Sequence, residues 1–188
     1  MAEQRARIDW VLDPAYVTGL AHLDLAEVRK RRDDAAQEET DLSYLRRLLH
    51  ARIDIVRAEQ RRRRDGDSTP LVTELARILA ANAVAPAVGS GRHQALQPSG
   101  TGAYRQYVEA LVRDVDLSDV GALPAERLEE ALRTYCAQEA SISRRRRAVQ
   151  RVVDTCNAEI GSRYARGAAS VDDLLAEQRG LTEPGDEG

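Results

Sequence analysis

The fold turns on two stretches, ETDLSYLRRLLHARID at residues 39–54 and EASISRRRRAVQRVVD at residues 139–154. In each, Glu, Ser, Arg, then His or Gln, then Asp follow at intervals of 4, 3, 4 and 4 residues: Glu39, Ser43, Arg46, His50, Asp54 and Glu139, Ser143, Arg146, Gln150, Asp154. At about 100° per residue of α-helix, the five side chains of one copy form a stripe roughly 80° wide and about 22 Å long. The same offset of one hundred residues aligns Arg47 with Arg147 and Ala58-Glu59 with Ala158-Glu159.

The apolar residues keep the same phase. Val28, Ala35, Leu42, Leu49 and Val56 recur every seven residues, and so do Leu128, Tyr135, Ile142, Val149 and Cys156. Sustained heptads of this kind read as helices packed along a seam. Leu132, Glu139, Arg146, Val153 and Ile160 stand four places after the second set, so a Glu and an Arg interrupt an otherwise apolar line beside the seam. Polar groups there need partners, because burying them unpaired is costly. In an antiparallel pair, Arg46 and Arg146 come to similar heights and the two stripes make a pseudo-two-fold surface.

Outward from this pair, the chain divides into three parts. Residues 1–23, with Leu12-Asp13-Pro14 and Gly19, read as an N-terminal docking segment. Residues 24–166 read as a helical hairpin, with long helices at about 24–64 and 124–166. Its connection, 67–123, holds helical patterns at 71–83 and 103–113 around a Gly-, Pro- and Ser-rich loop at 86–102. A short helix near 171–178 and an acidic tail complete residues 167–188. The expected class is all-α, a long two-helix coiled coil with shorter helices packed on it, its antiparallel orientation being what the family resemblance given below implies.

Composition agrees with long solvated helices: 188 residues, 31% charged, 4% aromatic and no Phe. A net charge of −3 argues against wholesale polyanion or direct DNA binding. Lys30 is the only lysine, an arginine bias that a GC-rich coding sequence produces without functional demand. Cys136 and Cys156 stand about 30 Å apart on one helix, too far for a bridge, and are expected to be reduced. With no run apolar enough for a bilayer and no signal peptide, the chain reads as cytoplasmic and not membrane-bound. No His/Cys cluster has metal-ligand spacing, so no metal is expected.

The stripe carries its own ligand chemistry. A carboxylate accepts from the N1–H and N2–H₂ donors of guanine, and Arg donates as a fork to guanine O6 and N7 or to phosphate. Ser and Gln bond phosphate or sugar oxygens. Arg47, Arg52, Arg144, Arg145, Arg147 and Arg151 supply further positive charge. The set suits a guanine nucleotide better than a bare anion.

The spacing Glu-x₃-Ser-x₂-Arg-x₃-Gln-x₃-Asp resembles the cyclic di-GMP signature of RsiG-type anti-sigma factors of Streptomyces and related actinobacteria. The copy from Glu139 to Asp154 matches at all five positions, and the copy from Glu39 to Asp54 at four, with His50 in place of Gln. The likeness extends from about Leu12 to Arg166. It implies a binding protein without catalysis, in which both helices hold a cyclic di-GMP dimer and that complex sequesters a WhiG-class sporulation sigma factor. Arg46, Arg146, Asp54 and Asp154 would recognise base or phosphate. Glu39 and Glu139 would accept from guanine or orient an Arg, while Ser43, Ser143, His50 and Gln150 would contact phosphate or ribose. His50 is read as a tolerated substitution rather than a pH sensor, since neutral imidazole retains one donor and one acceptor.

Two rivals stand beside this reading. In one, the chain is a helical coiled-coil adaptor whose stripe meets a protein partner without nucleotide. In the other it is a phosphodiesterase, which the lack of a phosphate loop, His-Asp cluster or nucleophile motif disfavours. Arg61 to Arg64 read as a charged helix end that suits the dipole. Tyr135 reads as core, and Tyr44 as either packing or a base-stacking platform.

Overall fold

The computed structural model describes residues 2–66 and 120–167. The elements expected at 71–83, 86–102, 103–113 and 171–178, and the acidic tail, lie outside the described residues. Helices α1 (Ala2–Val11) and α2 (Pro14–Val17) lead through a 3₁₀ turn at Leu20–His22 into the long helix α3 (Leu25–Asp65). A second 3₁₀ turn at Val120–Ala122 leads into α4 (Ala125–Ala165). The turn and long helix of the second half begin and end one hundred residues after those of the first. No strand occurs among the described residues, and the architecture is an all-α two-helix hairpin.

Local chemistry sets the ends of α3. Asp24 caps its start, accepting from Glu27 N at 2.7 Å, and Glu27 supplies the acidic residue of the first turn. Gly66, at φ 64°, closes its end with an N–H to Arg62 O, a left-handed turn that glycine enters without a Cβ penalty. Gly19 (φ 74°) serves the same need between α2 and the first 3₁₀ turn.

The two 41-residue helices run antiparallel for roughly 60 Å. Val28, near the start of α3, packs with Cys156, towards the end of α4. Arg63, at the far end of α3, reaches the carbonyls of Val120 and Gly121, just before α4 begins. Between these ends lies the seam expected from the heptads, and none of its ten members is more than 4% exposed. Both cysteines are free, Cys156 buried and Cys136 half-buried.

The N-terminal segment closes one flank of α3. Ile8, Val11 and Tyr16 enter the main core. The Tyr16 hydroxyl donates to Arg31 O at 2.8 Å, and Arg31 Nη1 returns a bond to Tyr16 O at 2.6 Å. The Arg31 guanidinium also lies 5.5 Å from the Tyr16 ring centroid, and Trp10 meets that ring edge-on at 5.7 Å. Arg7 donates to the buried carboxylates of Glu38 and Asp41. Burial pushes the Glu38 carboxyl above its usual range, and Arg7 opposes that shift.

Aliphatic burial in the seam supplies most of the association of α3 with α4, at about 1.5–3 kcal/mol for each large side chain. Ile142→Ala, at a position 2% exposed, is expected to cost about 2–5 kcal/mol. Urea unfolding followed by far-ultraviolet circular dichroism checks this.

Candidate functional site

The heptad phase brings the two polar stripes face to face near the middle of the hairpin. Antiparallel packing sets the Arg of each copy against the Glu of the other. Arg146 Nη1 donates to Glu39 Oε1 at 2.7 Å, and Arg46 Nε donates to Glu139 Oε1 at 3.2 Å. Each glutamate is also held within its own helix. Ser43 Oγ donates to Glu39 Oε1 at 3.0 Å, and Ser143 Oγ to Glu139 Oε1 at 2.6 Å. Two crossed ion pairs, each with a serine brace one helical turn away, make the pseudo-two-fold physical. His50 adds an asymmetric contact, its Nε2 lying 3.1 Å from Glu139 Oε1.

Seven of the ten stripe residues thus meet in two adjoining clusters. Glu39, Ser43 and Arg146 form one; Arg46, His50, Glu139 and Ser143 form the other. Asp54 is half-exposed, about two turns along α3 from Arg46. Gln150 and Asp154 are exposed, and their side chains make no hydrogen bond among the described residues. Gln150 and Asp154 border the clusters rather than joining them. Tyr135 is fully buried, as its heptad position requires, and Tyr44 is half-buried.

The clusters are open to solvent on one side. Side-chain exposure is 41% for Arg46 and 25% for Arg146, against 22% for Glu139 and 28% for Glu39. Such half-exposed pairs contribute no more than about 1 kcal/mol each to the fold, so exchanging them for a ligand is affordable. Arg146 Nε is buried without an acceptor among the described residues, one donor held in reserve beside the stripe. Arg144, Arg145, Arg147 and Arg151 are exposed on the same stretch of α4. The stripe offers guanidinium donors and carboxylate acceptors, and the exposed arginines add positive charge around this part of α4, which matches a polar anionic ligand bearing both donors and acceptors. An open groove of about 450 Å³, lined by residues such as Val17, Leu20, Thr155 and Glu159, contains none of the stripe residues.

A second duplicated network escaped the sequence reading. Glu59 is fully buried on α3, where Arg63 Nε donates to its Oε1 at 2.6 Å and Arg62 Nε to its Oε2 at 2.7 Å. Arg63 Nη2 then donates to Val120 O and Gly121 O, at 3.3 and 3.0 Å. One hundred residues on, Arg163 Nε donates to Glu159 Oε1 at 2.7 Å and Arg163 Nη2 to Leu20 O at 2.6 Å. Each half therefore carries a Glu-x₃-Arg clasp that grips the 3₁₀ turn of the other half. The repeat of Ala58-Glu59 in Ala158-Glu159 was visible, and extending it by four residues to Arg63 and Arg163 finds the clasp. Within the basic run from Arg61 to Arg64, Arg62 and Arg63 thus hold a buried carboxylate as well as marking a charged helix end.

Glu139 is the stripe carboxylate with a displaced ionisation. The Ser143 hydroxyl chiefly, then His50 and Arg46, hold it below the usual carboxylate range against the opposing effect of burial. Because the folded value lies below the unfolded one, Glu139 adds stability above the unfolded value, about 4.3, and loses it as pH falls through the folded value. Glu139→Gln is expected to lower stability by up to about 1 kcal/mol near neutrality. The deficit should shrink as the pH is lowered through that window, read from melting temperatures of both proteins between about pH 3 and pH 7.

Compared with curated protein sequences, the chain has no match. A family model described as RsiG-like matches it twice, over residues 14–79 and 114–178. The matched segments start one hundred residues apart and contain both stripes and both clasps. Matched over more than half its length, in two segments that correspond to the two halves of the hairpin, this chain belongs to the RsiG-like family.

Proposed function

We propose that this chain, an anti-sigma-type regulator by family, uses the central face of α3 and α4 to bind a cyclic di-GMP dimer and thereby holds a WhiG-class sporulation sigma factor inactive. The observation that supports this best is the reciprocal crossing of the duplicated motif, Arg46 to Glu139 and Arg146 to Glu39. A ligand that is itself a pair of like molecules meets two like half-sites related by a pseudo-two-fold.

In this reading Glu39 and Glu139 turn from the arginines to the N1–H and N2–H₂ edges of two guanines. The freed guanidinium groups of Arg146 and Arg46 then take O6 and N7, or phosphate oxygens. Ser43, Ser143, His50 and Gln150 bond phosphate or ribose, and Asp54 and Asp154 accept from base edges at the ends of the stripe. Exposed Arg144, Arg145, Arg147 and Arg151 offset the phosphate charge. The nucleotide supplies contact area to both proteins, so each of ligand and sigma factor strengthens the other's binding by the same factor. No residue is assigned a catalytic task, no metal is invoked, and no DNA is contacted.

One observation favours the adaptor reading instead. The crossed ion pairs give Arg46, Arg146, Glu39 and Glu139 partners within the chain, as they would if their task were only to fasten the helices to each other.

Calorimetric titration of cyclic di-GMP into the chain, without and then with a WhiG-class sigma factor, separates the two. Binding near two nucleotides per chain, tightened by the sigma factor, is expected. Arg146→Ala should weaken it by about ten- to a hundredfold, the loss of one or two charge-assisted hydrogen bonds, with helicity retained. Absence of binding with both proteins folded would leave the adaptor.

A further inference from the structure

His50 is where the two copies of the stripe differ in kind, since its counterpart is Gln150. Glu139 Oε1 gathers three groups, Arg46 Nε at 3.2 Å, His50 Nε2 at 3.1 Å and Ser143 Oγ at 2.6 Å. Glu39 Oε1 gathers two, Arg146 Nη1 and Ser43 Oγ, and the exposed Gln150 side chain makes no hydrogen bond among the described residues. A carboxylate only accepts, so in this contact His50 Nε2 carries the hydrogen. Where Glu139 keeps this contact on one oxygen as it releases Arg46 for guanine, Nδ1 is the ring's remaining polar atom for the nucleotide. In a neutral ring Nδ1 is a lone pair, which repels a phosphate oxygen; in a protonated ring it is an N–H, which attracts one. The amide of Gln150 offers N–H donors without any change of charge.

We propose that His50 makes the two halves of the site inequivalent: the half built on Arg46 and His50 takes its anionic nucleotide oxygen together with a proton on Nδ1, while the half built on Arg146 and Gln150 takes one without a proton. This rests on the nucleotide reading above. The proton comes from solvent buffer, because a phosphodiester has none to give near neutrality.

Arg46, Arg47 and Asp54 lie within about a turn of His50 on α3. From α4, Glu139 meets the ring, with Tyr135 and Cys136 one turn before it. A bound phosphate adds a fixed negative charge to this set, and with His50 42% exposed the ring is open to a ligand. The histidine is then more than a substitute that preserves one donor and one acceptor.

Calorimetry of the full chain with cyclic di-GMP tests this, at about pH 6 and about pH 8, each in two buffers of different ionisation heat. The unaltered chain should take up a fraction of a proton on binding, with affinity falling by about tenfold across that range. His50→Gln should abolish the uptake and level the affinity, and Gln150→His should increase the uptake by installing a second such half. Circular dichroism verifies that both variants are folded. Binding without proton uptake, or uptake unchanged in His50→Gln, would overturn the inference while leaving the nucleotide reading intact. If the unaltered chain binds no nucleotide at either pH, the nucleotide reading itself falls and takes the inference with it.

Discussion

The shared heptad phase of α3 and α4 is the constraint on which the rest of the molecule depends. Val28 through Val56 and Leu128 through Cys156 bury a continuous line from each helix. Once those lines meet antiparallel, the height of every other residue is set. Arg46 and Arg146 have no independent means of finding Glu139 and Glu39. They meet because a seven-residue apolar period and a polar pattern with intervals of 4, 3, 4 and 4 sit in fixed phase on both helices.

This order of causes explains how modest ion pairs occupy an organised site. The pairs are half-exposed and contribute little to stability, whereas the seam beneath them is nearly dry. Position comes from the apolar seam and chemistry from the stripe. The carboxylates and guanidinium groups are held near one another by packing that does not need them, which leaves them available to exchange partners. A site whose fold depended on its own salt bridges would lose its shape on accepting a ligand.

Much of this was legible in the sequence because it is periodic. The two long helices and the seam follow from heptads and a one-hundred-residue offset, while the antiparallel placement of Arg46 against Arg146 came from the family resemblance, since heptads alone fit either orientation. What was not legible depends on contacts between segments of unlike pattern. Glu38 and Asp41 look like ordinary acidic residues of a charged helix, and nothing in their spacing reveals that Arg7 meets them under the N-terminal segment. Arg63 and Arg163 bond backbone carbonyls, which carry no side-chain signature at all. The contact of His50 with Glu139 needed the two helices at their actual distance. So did the finding that Gln150 and Asp154 stand clear of the crossed pairs.

The Glu-x₃-Arg clasps give the hairpin a property of rulers. A heptad seam alone tolerates sliding by one period, since every seven residues present the same apolar face. Here Arg63 and Arg163 grip turns at opposite ends, so a slip of about 10 Å would tear both from their carbonyls. The chain is gauged end to end, 41 residues against 41. Lengthening one helix by a heptad would keep its phase and still fail the gauge, while equal insertions in both, placed on the same side of the stripe, would pass. Length in such a fold is inherited in pairs.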